Sequence, residues 1–218
     1  MRKDVISAGL AILVFTLLLG ILYPLVITGV SQVAFPGNAN GQKVYANGKL
    51  VGSKIIGQAF TDQVVKNGKP QVDKDGNPIT VPDPRYFQSR PSATVPPYNS
   101  AATTFSNLGP NSKVLEQAIA SNIQSYLGLE KRFDSTLTKS EVPVDAVNTS
   151  ASGVDPDISI ANADIQAHRV AAVRHLPLSQ VMSLVSKYTH GRGLGFVGET
   201  GVNVLQLNLA LDRSTGGR

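Results

Sequence analysis

From Val5 to Val33 the chain is almost wholly apolar, VISAGLAILVFTLLLGILYPLVITGVSQV, and no charged side chain stands between Asp4 and Lys43. At about 1.5 Å per helical residue, such a run crosses a hydrocarbon core of about 30 Å even when tilted. Only a helix satisfies its own backbone polar groups there. A secretory signal peptide has an apolar region of about 7–15 residues followed by a small-x-small cleavage site. This run is much longer, and its exit, SQVAFPGNANG, offers no convincing site. The pattern therefore predicts an uncleaved signal anchor: residues 1–34 form a short basic tail and one transmembrane helix, and residues 35–218 form a soluble domain. Within the span, Thr16 and Gly20 make a small-xxx-small pair that permits close helix approach, and Pro24 predicts a kink.

Beyond the linker FPGNANGQ, the segment KVYANGKLVGSKIIGQAF holds two β-suited runs around Asn47-Gly48, a pair that tolerates the positive φ of a tight hairpin turn. Residues 66–84, KNGKPQVDKDGNPITVPDP, are polar and turn-rich, a surface excursion with room for a second hairpin around Asp75 to Asn77. From Asn111 to Leu129, the recurrence of Leu115, Ile119, Ile123 and Tyr126 predicts a helix, started near Pro110 to Ser112 and stopped by Gly128. Residues 137–157 are irregular. Ser159 is a suitable cap for a second helix reaching about Arg174, and Pro177 fits the first turn of a third. In that third helix Val181, Leu184, Val185 and Tyr188 line one face, with Gly191 as its stop. Last, Leu205, Leu207, Leu209 and Leu211 alternate with polar or small residues, which predicts a half-buried strand over 202–212. The expected class is α+β: one transmembrane helix, then a single compact mixed domain with few strands and about three helices. No regular βαβ alternation points to a doubly wound sheet.

The stretch YFQSRPSATVPPYNSAATTFSNLGP, residues 86–110, is dense in hydroxyls, prolines and small residues, yet Tyr86, Phe87, Tyr98 and Phe105 punctuate it. Aromatics at that density predict an ordered loop rather than a linker. Its polar side chains face either a partner or the domain's own buried carbonyls and amides.

Charge adds little. The formal net charge is +5, but the cations are scattered among acids, with no Lys/Arg run and no basic stripe interleaved with aromatics. Nucleic-acid binding is not expected. Positive-inside counting favours a cytoplasmic N-terminus slightly, by Arg2, Lys3 and the terminal amine against Lys43 and Lys49. The tiny basic tail supports the same arrangement, with the domain outside. The chain has no cysteine, which permits an oxidising exterior.

Chemistry is sparse. Residues 193–198, GLGFVG, match G-x-G-x-x-G literally, but a dinucleotide site needs that motif between a strand and a helix. Here it follows a helix and leads into a strand, as a turn does. There is no G-x-x-x-x-G-K-[ST] loop for a triphosphate and no G-x-S-x-G elbow. His168, His175 and His190 have no metal-site spacing. Asp145, Asp155 and Asp157 sit beside turn residues and read as caps. No catalytic residue and no metal site is expected, which favours an accessory protein over a membrane-anchored enzyme. A pilin-like protein is a third class, but no glutamate stands near the start of the apolar run and no processing site follows it.

Five blocks occur in one order over nearly the whole chain: LYPLVITG in the span; YFQSRPSAT followed by YN and SNLGP; VPVDAVNTSASGVDPDIS; Gln166 with Arg169-Val170-Ala171; and GRGLGFVGETGVNVLQLNLALD. In these the chain closely resembles the KdpC family, the C subunit of the potassium-transporting Kdp ATPase of bacteria. The resemblance implies a non-catalytic accessory subunit of an ATP-driven, high-affinity potassium importer in the bacterial inner membrane. Implied partners are a channel-like potassium-binding subunit, an ATP-hydrolysing P-type pump subunit, a small single-span subunit and the bilayer. No cofactor of its own is implied; ATP would be bound, if at all, together with the pump subunit, whose affinity the family is proposed to raise as a catalytic chaperone. The alternative is a purely structural external cap near the ion entrance.

Where the family often has Ser-Gly-Gly-Ser-Asn, this chain has Thr103-Thr104-Phe105-Ser106-Asn107. Losing both glycines removes the permissive backbone that a phosphate cradle uses. The candidate nucleotide- or partner-binding residues are Arg90, Ser92, Thr94, Tyr98 and Asn107 of the loop, with Gln166 and Arg169 of the second helix.

Overall fold

The structure, a computed structural model, describes residues 2–102 and 107–214. Helix α1 spans Arg2–Ala34 with none of its most apolar stretch buried against the rest of the chain. Its middle, Thr16–Leu22, is wound as a π-helix, and the Tyr23 N–H bonds the Leu18 carbonyl five residues back. Pro24 accounts for this. A proline ring clashes with the carbonyl four residues earlier, here Gly20, and the wider winding relieves that contact. Just before the position where a kink is expected, the helix carries a π-segment.

A single turn, α2 (Pro36–Ala39), leads to strands β1 (Lys43–Ala46) and β2 (Lys49–Ser53), an antiparallel hairpin. Asn47 and Gly48 form its turn with φ of 50° and 76°, as the sequence predicts. Next comes an exposed two-stranded arm. Strand β3 (Thr61–Gln63) pairs with β6 (Thr80–Pro82), and β4 (Val65–Lys66) pairs with β5 (Lys69–Pro70). Asp73 closes the outer turn by accepting the Asp75 and Asn77 N–H groups at 2.9 and 2.8 Å. The Asn67-Gly68 turn between β4 and β5, with φ of 52° and 73°, makes an additional hairpin beside the one expected around Asp75 to Asn77.

Helix α3 (Lys113–Glu130) is capped by Ser112, whose side chain accepts from the Leu115 N–H. It runs through Gly128, so that glycine does not end it. A short turn, α4 (Val144–Val147), precedes strand β7 (Asp157–Ile158). Helix α5 (Ile160–Arg174) begins at the Ser159 cap, as expected, and ends at His175 in the left-handed conformation. Helix α6 (Leu178–Lys187) starts directly after Pro177, and its chain turns at Tyr188, before Gly191. Strands β8 (Thr189–His190) and β9 (Gly201–Asn203) complete a three-stranded antiparallel sheet of order β7-β9-β8.

The C-terminal segment departs from its expected form. After β9 it is helix α7 (Val204–Ser214), not a strand. Val204, Leu207, Asn208 and Leu211 are buried, a stripe at spacings of three and four. The alternating leucines conceal it, because the polar Asn208 belongs to the core face. The domain therefore holds one more long helix than predicted.

The core gathers Phe87, Ile158, Ala167, Val170, Val181, Val185, Val202, Val204, Leu207 and Leu211. Each such fully buried aliphatic or aromatic side chain contributes roughly 1.5–3 kcal/mol. Helices α5, α6 and α7 and the small sheet thus pack around Phe87, which comes from an extended segment rather than a regular element.

Candidate functional site

That extended segment raises a backbone question, since residues 84–92 belong to no sheet although Phe87 is fully buried. Two carboxamides stand in for a neighbouring strand. Asn208 on α7 accepts the Phe87 N–H and donates to the Phe87 carbonyl, each at 2.9 Å. Gln166 on α5 accepts the Gln88 N–H at 2.7 Å and donates to the Gln88 carbonyl at 3.1 Å. Each amide side chain thus closes both polar groups of one residue, as a strand partner would.

Arg169 extends the same network. Its Nη1 donates to the carbonyls of Pro84 and Tyr86 at 2.7 and 2.9 Å, and its Nη2 donates to Gln166 Oε1 at 2.9 Å. Its Nε donates to both carboxylate oxygens of Glu130, the last residue of α3, at 2.9 and 3.1 Å. Both side chains are essentially excluded from solvent. Burial pushes the Glu130 carboxyl up, while the Arg169 charge and hydrogen bond oppose that. From Gln166 the chain of bonds continues to Asn162, which accepts from the Tyr126 hydroxyl and donates to Asp145. Asp145 also accepts the Ser159 N–H at 2.8 Å, the capping part its position suggests. Burial raises the Tyr126 hydroxyl well above its ordinary value.

The second group of candidates surrounds the loop at 148–155. Arg90 donates to the carbonyls of Asn148 and Thr149 and pairs with Asp155 at 3.3 Å. Ser92 donates to the Gly153 carbonyl at 2.6 Å and accepts the Thr94 and Tyr98 N–H groups. Thr94 donates to the Pro96 carbonyl and accepts the Asn99 N–H. The Tyr98 hydroxyl donates to the Arg90 carbonyl at 2.7 Å, and burial pushes it up to about 12.

The structure therefore brings Gln166 and Arg169 together against residues 84–88, and Arg90, Ser92, Thr94 and Tyr98 together farther along the same segment. In both groups the polar atoms serve backbone groups of the domain. Asn107 is solvent-exposed. Thr103, Thr104, Phe105 and Ser106, which carry the departure from the family's glycines, lie outside the described residues. Asn208, Asn162, Glu130 and Asp145 complete the network but were not singled out as site residues. For Asn208 the one available signal is a polar residue at a helical core position, legible only once 204–214 is read as helix.

An open cleft of about 530 Å³ lies beside this network, lined by Arg85, Tyr86, Arg174, His175, Leu176 and Asp212 among others. The Arg174 guanidinium sits 4.6 Å from the Tyr86 ring centroid and the Arg85 guanidinium 5.9 Å. Arg85 is bonded to Asp83, and Arg174 to Asp212 at 2.8 Å, so the cleft holds no excess of positive charge from these pairs. The glycine turn 193–198 closes on itself through the Gly193–Val197 bridge and leads into β9. Among the described residues no group of three His, Asp or Glu side chains converges to hold a metal ion.

Comparison with known proteins bears on this architecture directly. The family model "KdpC: K+-transporting ATPase, c chain" matches residues 5–213. The chain belongs to the KdpC family. Curated KdpC relatives, each named potassium-transporting ATPase KdpC subunit, align over nearly their whole lengths. The one from Mycobacterium tuberculosis is 41% identical over 213 residues, 98% of this chain and 100% of its own. The Methylococcus capsulatus protein is 44% identical over 206 residues, 94% of this chain and 95% of its own. That of Herpetosiphon aurantiacus is 44% identical over 214 residues, 98% and 97% of the two chains. Within this KdpC-family chain, the match covers the apolar helix and the domain alike, so the network described above lies wholly inside it.

Proposed function

We propose that the chain is a non-catalytic accessory subunit of an ATP-driven potassium importer, anchored in the bacterial inner membrane by α1 with its N-terminus in the cytoplasm and its domain outside. It acts there as a structural cap near the ion entrance of a channel-like potassium-binding subunit, stabilising that subunit's assembly with a P-type pump subunit and a small single-span subunit. ATP hydrolysis resides in the pump subunit.

One observation carries the preference for a cap over a nucleotide chaperone. Arg90, Ser92, Thr94, Tyr98, Gln166 and Arg169 all direct donors at the domain's own carbonyls or carboxylates. A phosphate cradle needs donors aimed outward, and redirecting these would leave buried acceptors unsatisfied.

Topology tests the reading. The chain has no cysteine, and Val114 on α3 is exposed, so Val114→Cys gives one thiol on the domain. In intact cells whose outer barrier is permeabilised, a membrane-impermeant maleimide is expected to label it. Labelling only after the inner membrane is opened would place the domain inside, overturn the cap and restore contact with cytoplasmic ATP as the leading mechanism.

A further inference from the structure

The hairpin after the span carries cations without acids. Between Asp4 and Asp62 there is no acidic residue, yet Lys43, Lys49 and Lys54 fall in that interval. All three lysines are exposed. So are Phe35, Tyr45, Leu50 and Ile55, each by more than half of its surface. Tyr45 and Leu50 are direct cross-strand partners, so they share one face of the hairpin.

The hairpin is also fixed close to the end of the span. Asn40 exchanges side-chain hydrogen bonds with Gln32 in the last turns of α1, at 3.0 and 3.4 Å, and donates to the Pro36 carbonyl at 2.7 Å. Directly after Asn40, the Gly41 carbonyl accepts from the Ser53 hydroxyl at 2.7 Å and the Gln42 carbonyl from the Lys54 N–H at 3.0 Å. The open end of the hairpin is thus tied through two sets of bonds to the helix end. Between hairpin and tie lies a groove of about 350 Å³, largely apolar, to which Lys43, Leu50, Gly52 and Ile56 contribute.

We infer that the β1–β2 hairpin with Ile55 is an interfacial anchor, which rests on the bilayer surface and binds anionic lipid headgroups. Tyr45 and Phe35 sit at headgroup level, Leu50 and Ile55 enter the acyl boundary, and the three lysines meet lipid phosphates. The groove takes the upper part of an acyl chain whose headgroup pairs with Lys43. Two features select lipid as the occupant: charge complementarity over an acid-free stretch, and continuity with the span itself. The inference goes beyond the assignment as a subunit but rests on α1 crossing the membrane.

The chain has no tryptophan, so a single introduced one reports its own surroundings. The full chain carrying Tyr45→Trp is reconstituted in vesicles of phosphatidylcholine alone, or of phosphatidylcholine mixed with phosphatidylglycerol, with bromine on the upper acyl carbons as quencher. Leu25→Trp reports on the span and Val114→Trp on the distant domain surface. Quenching at position 45 is expected in the mixed vesicles, weaker in neutral ones and absent at position 114. Replacing Lys43, Lys49 and Lys54 by Gln should bring the mixed-vesicle signal down to the neutral level, with each lysine contributing roughly fivefold to surface occupancy.

Quenching at 25 without quenching at 45 overturns the anchor and leaves the span standing. Quenching at neither position overturns both. Equal quenching in the two vesicle types removes the anionic preference and overturns the headgroup assignment. Quenching at 45 that disappears when the chain is assembled with the other subunits of the transporter gives this face to a protein partner, and overturns the lipid one.

Discussion

Asp83 shows how one side chain governs a local piece of this fold. Its side chain is nearly buried, and Arg85 grips it from two directions, Nε at 2.9 and 3.0 Å and Nη2 at 2.6 Å, with the Arg85 N–H adding a further bond at 2.9 Å. Burial alone pushes the carboxyl up, but the bonds from Arg85 outweigh it and the net direction is down. A carboxyl held below its ordinary value adds stability that is present above that value and is lost as pH falls through the lowered one. Arg85 is itself half exposed, so the pair is screened and is worth about 1 kcal/mol at neutral pH. Asp83→Asn should therefore lower the Tm of the full chain in detergent at pH 7. The gap to wild type should close as pH drops below about 4. A gap that stays constant across that range would show that the Asp83 charge is not what the fold uses. Both residues stand in VPDPRYF, but their pairing is not legible there, because it depends on a turn whose form the composition leaves open.

At the scale of elements, Arg169 and Glu130 join α5 to the end of α3 and hold the 84–88 segment beneath them. A buried ion pair is weak evidence of net stabilisation, but removing one member leaves an uncompensated charge or an unmet set of donors. Arg169→Met should cost about 3–5 kcal/mol, measured by denaturant unfolding of the full chain in a mild detergent. Adding Glu130→Leu should recover much of that loss, since the stranded carboxylate is gone, although the Pro84 and Tyr86 carbonyls stay without their donor. No recovery in the double variant would mean that the bonds to those carbonyls, rather than the ion pair, dominate.

The same scale separates what the sequence could reveal from what it could not. Helices α5 and α6 were legible because Ser159, Pro177 and the stripe Val181, Leu184, Val185, Tyr188 act locally. Helix α7 was not, because Asn208 lies on its buried face to serve Phe87, far back in the chain. A residue buried polar for the sake of a remote backbone breaks the apolar period that reveals a helix. Arg90, Ser92, Thr94 and Tyr98 come from one loop; Thr94 and Tyr98 bond within it, while Arg90 and Ser92 reach residues 148–155, a partner set by tertiary packing.

For the whole molecule, the junction between the β1–β2 hairpin and the body of the domain turns on Gly57. Its N–H donates to the Val154 carbonyl at 2.7 Å. A Cβ there would overlap the Asp155 carbonyl oxygen and stand 2.9 Å from Tyr98 Cδ1. No flexible side-chain tip can absorb this, because the nearest obstacle is backbone. Gly57→Ala must push the 148–155 loop away from the hairpin, straining the site where Arg90, Tyr98 and Asp155 meet; a loss of about 1–3 kcal/mol is expected. Gly128, which lies within α3 rather than ending it, is the opposite case. No atom stands within 4 Å of an added Cβ there, so Gly128→Ala should raise stability by about 0.5–1 kcal/mol through helix propensity. Thermal unfolding of the two full-length variants side by side tests the pair. Opposite signs locate the constraint at the hairpin junction. A neutral Gly57→Ala would show that the hairpin is free to move relative to the body, and that the rigid tie from α1 stops at Lys54.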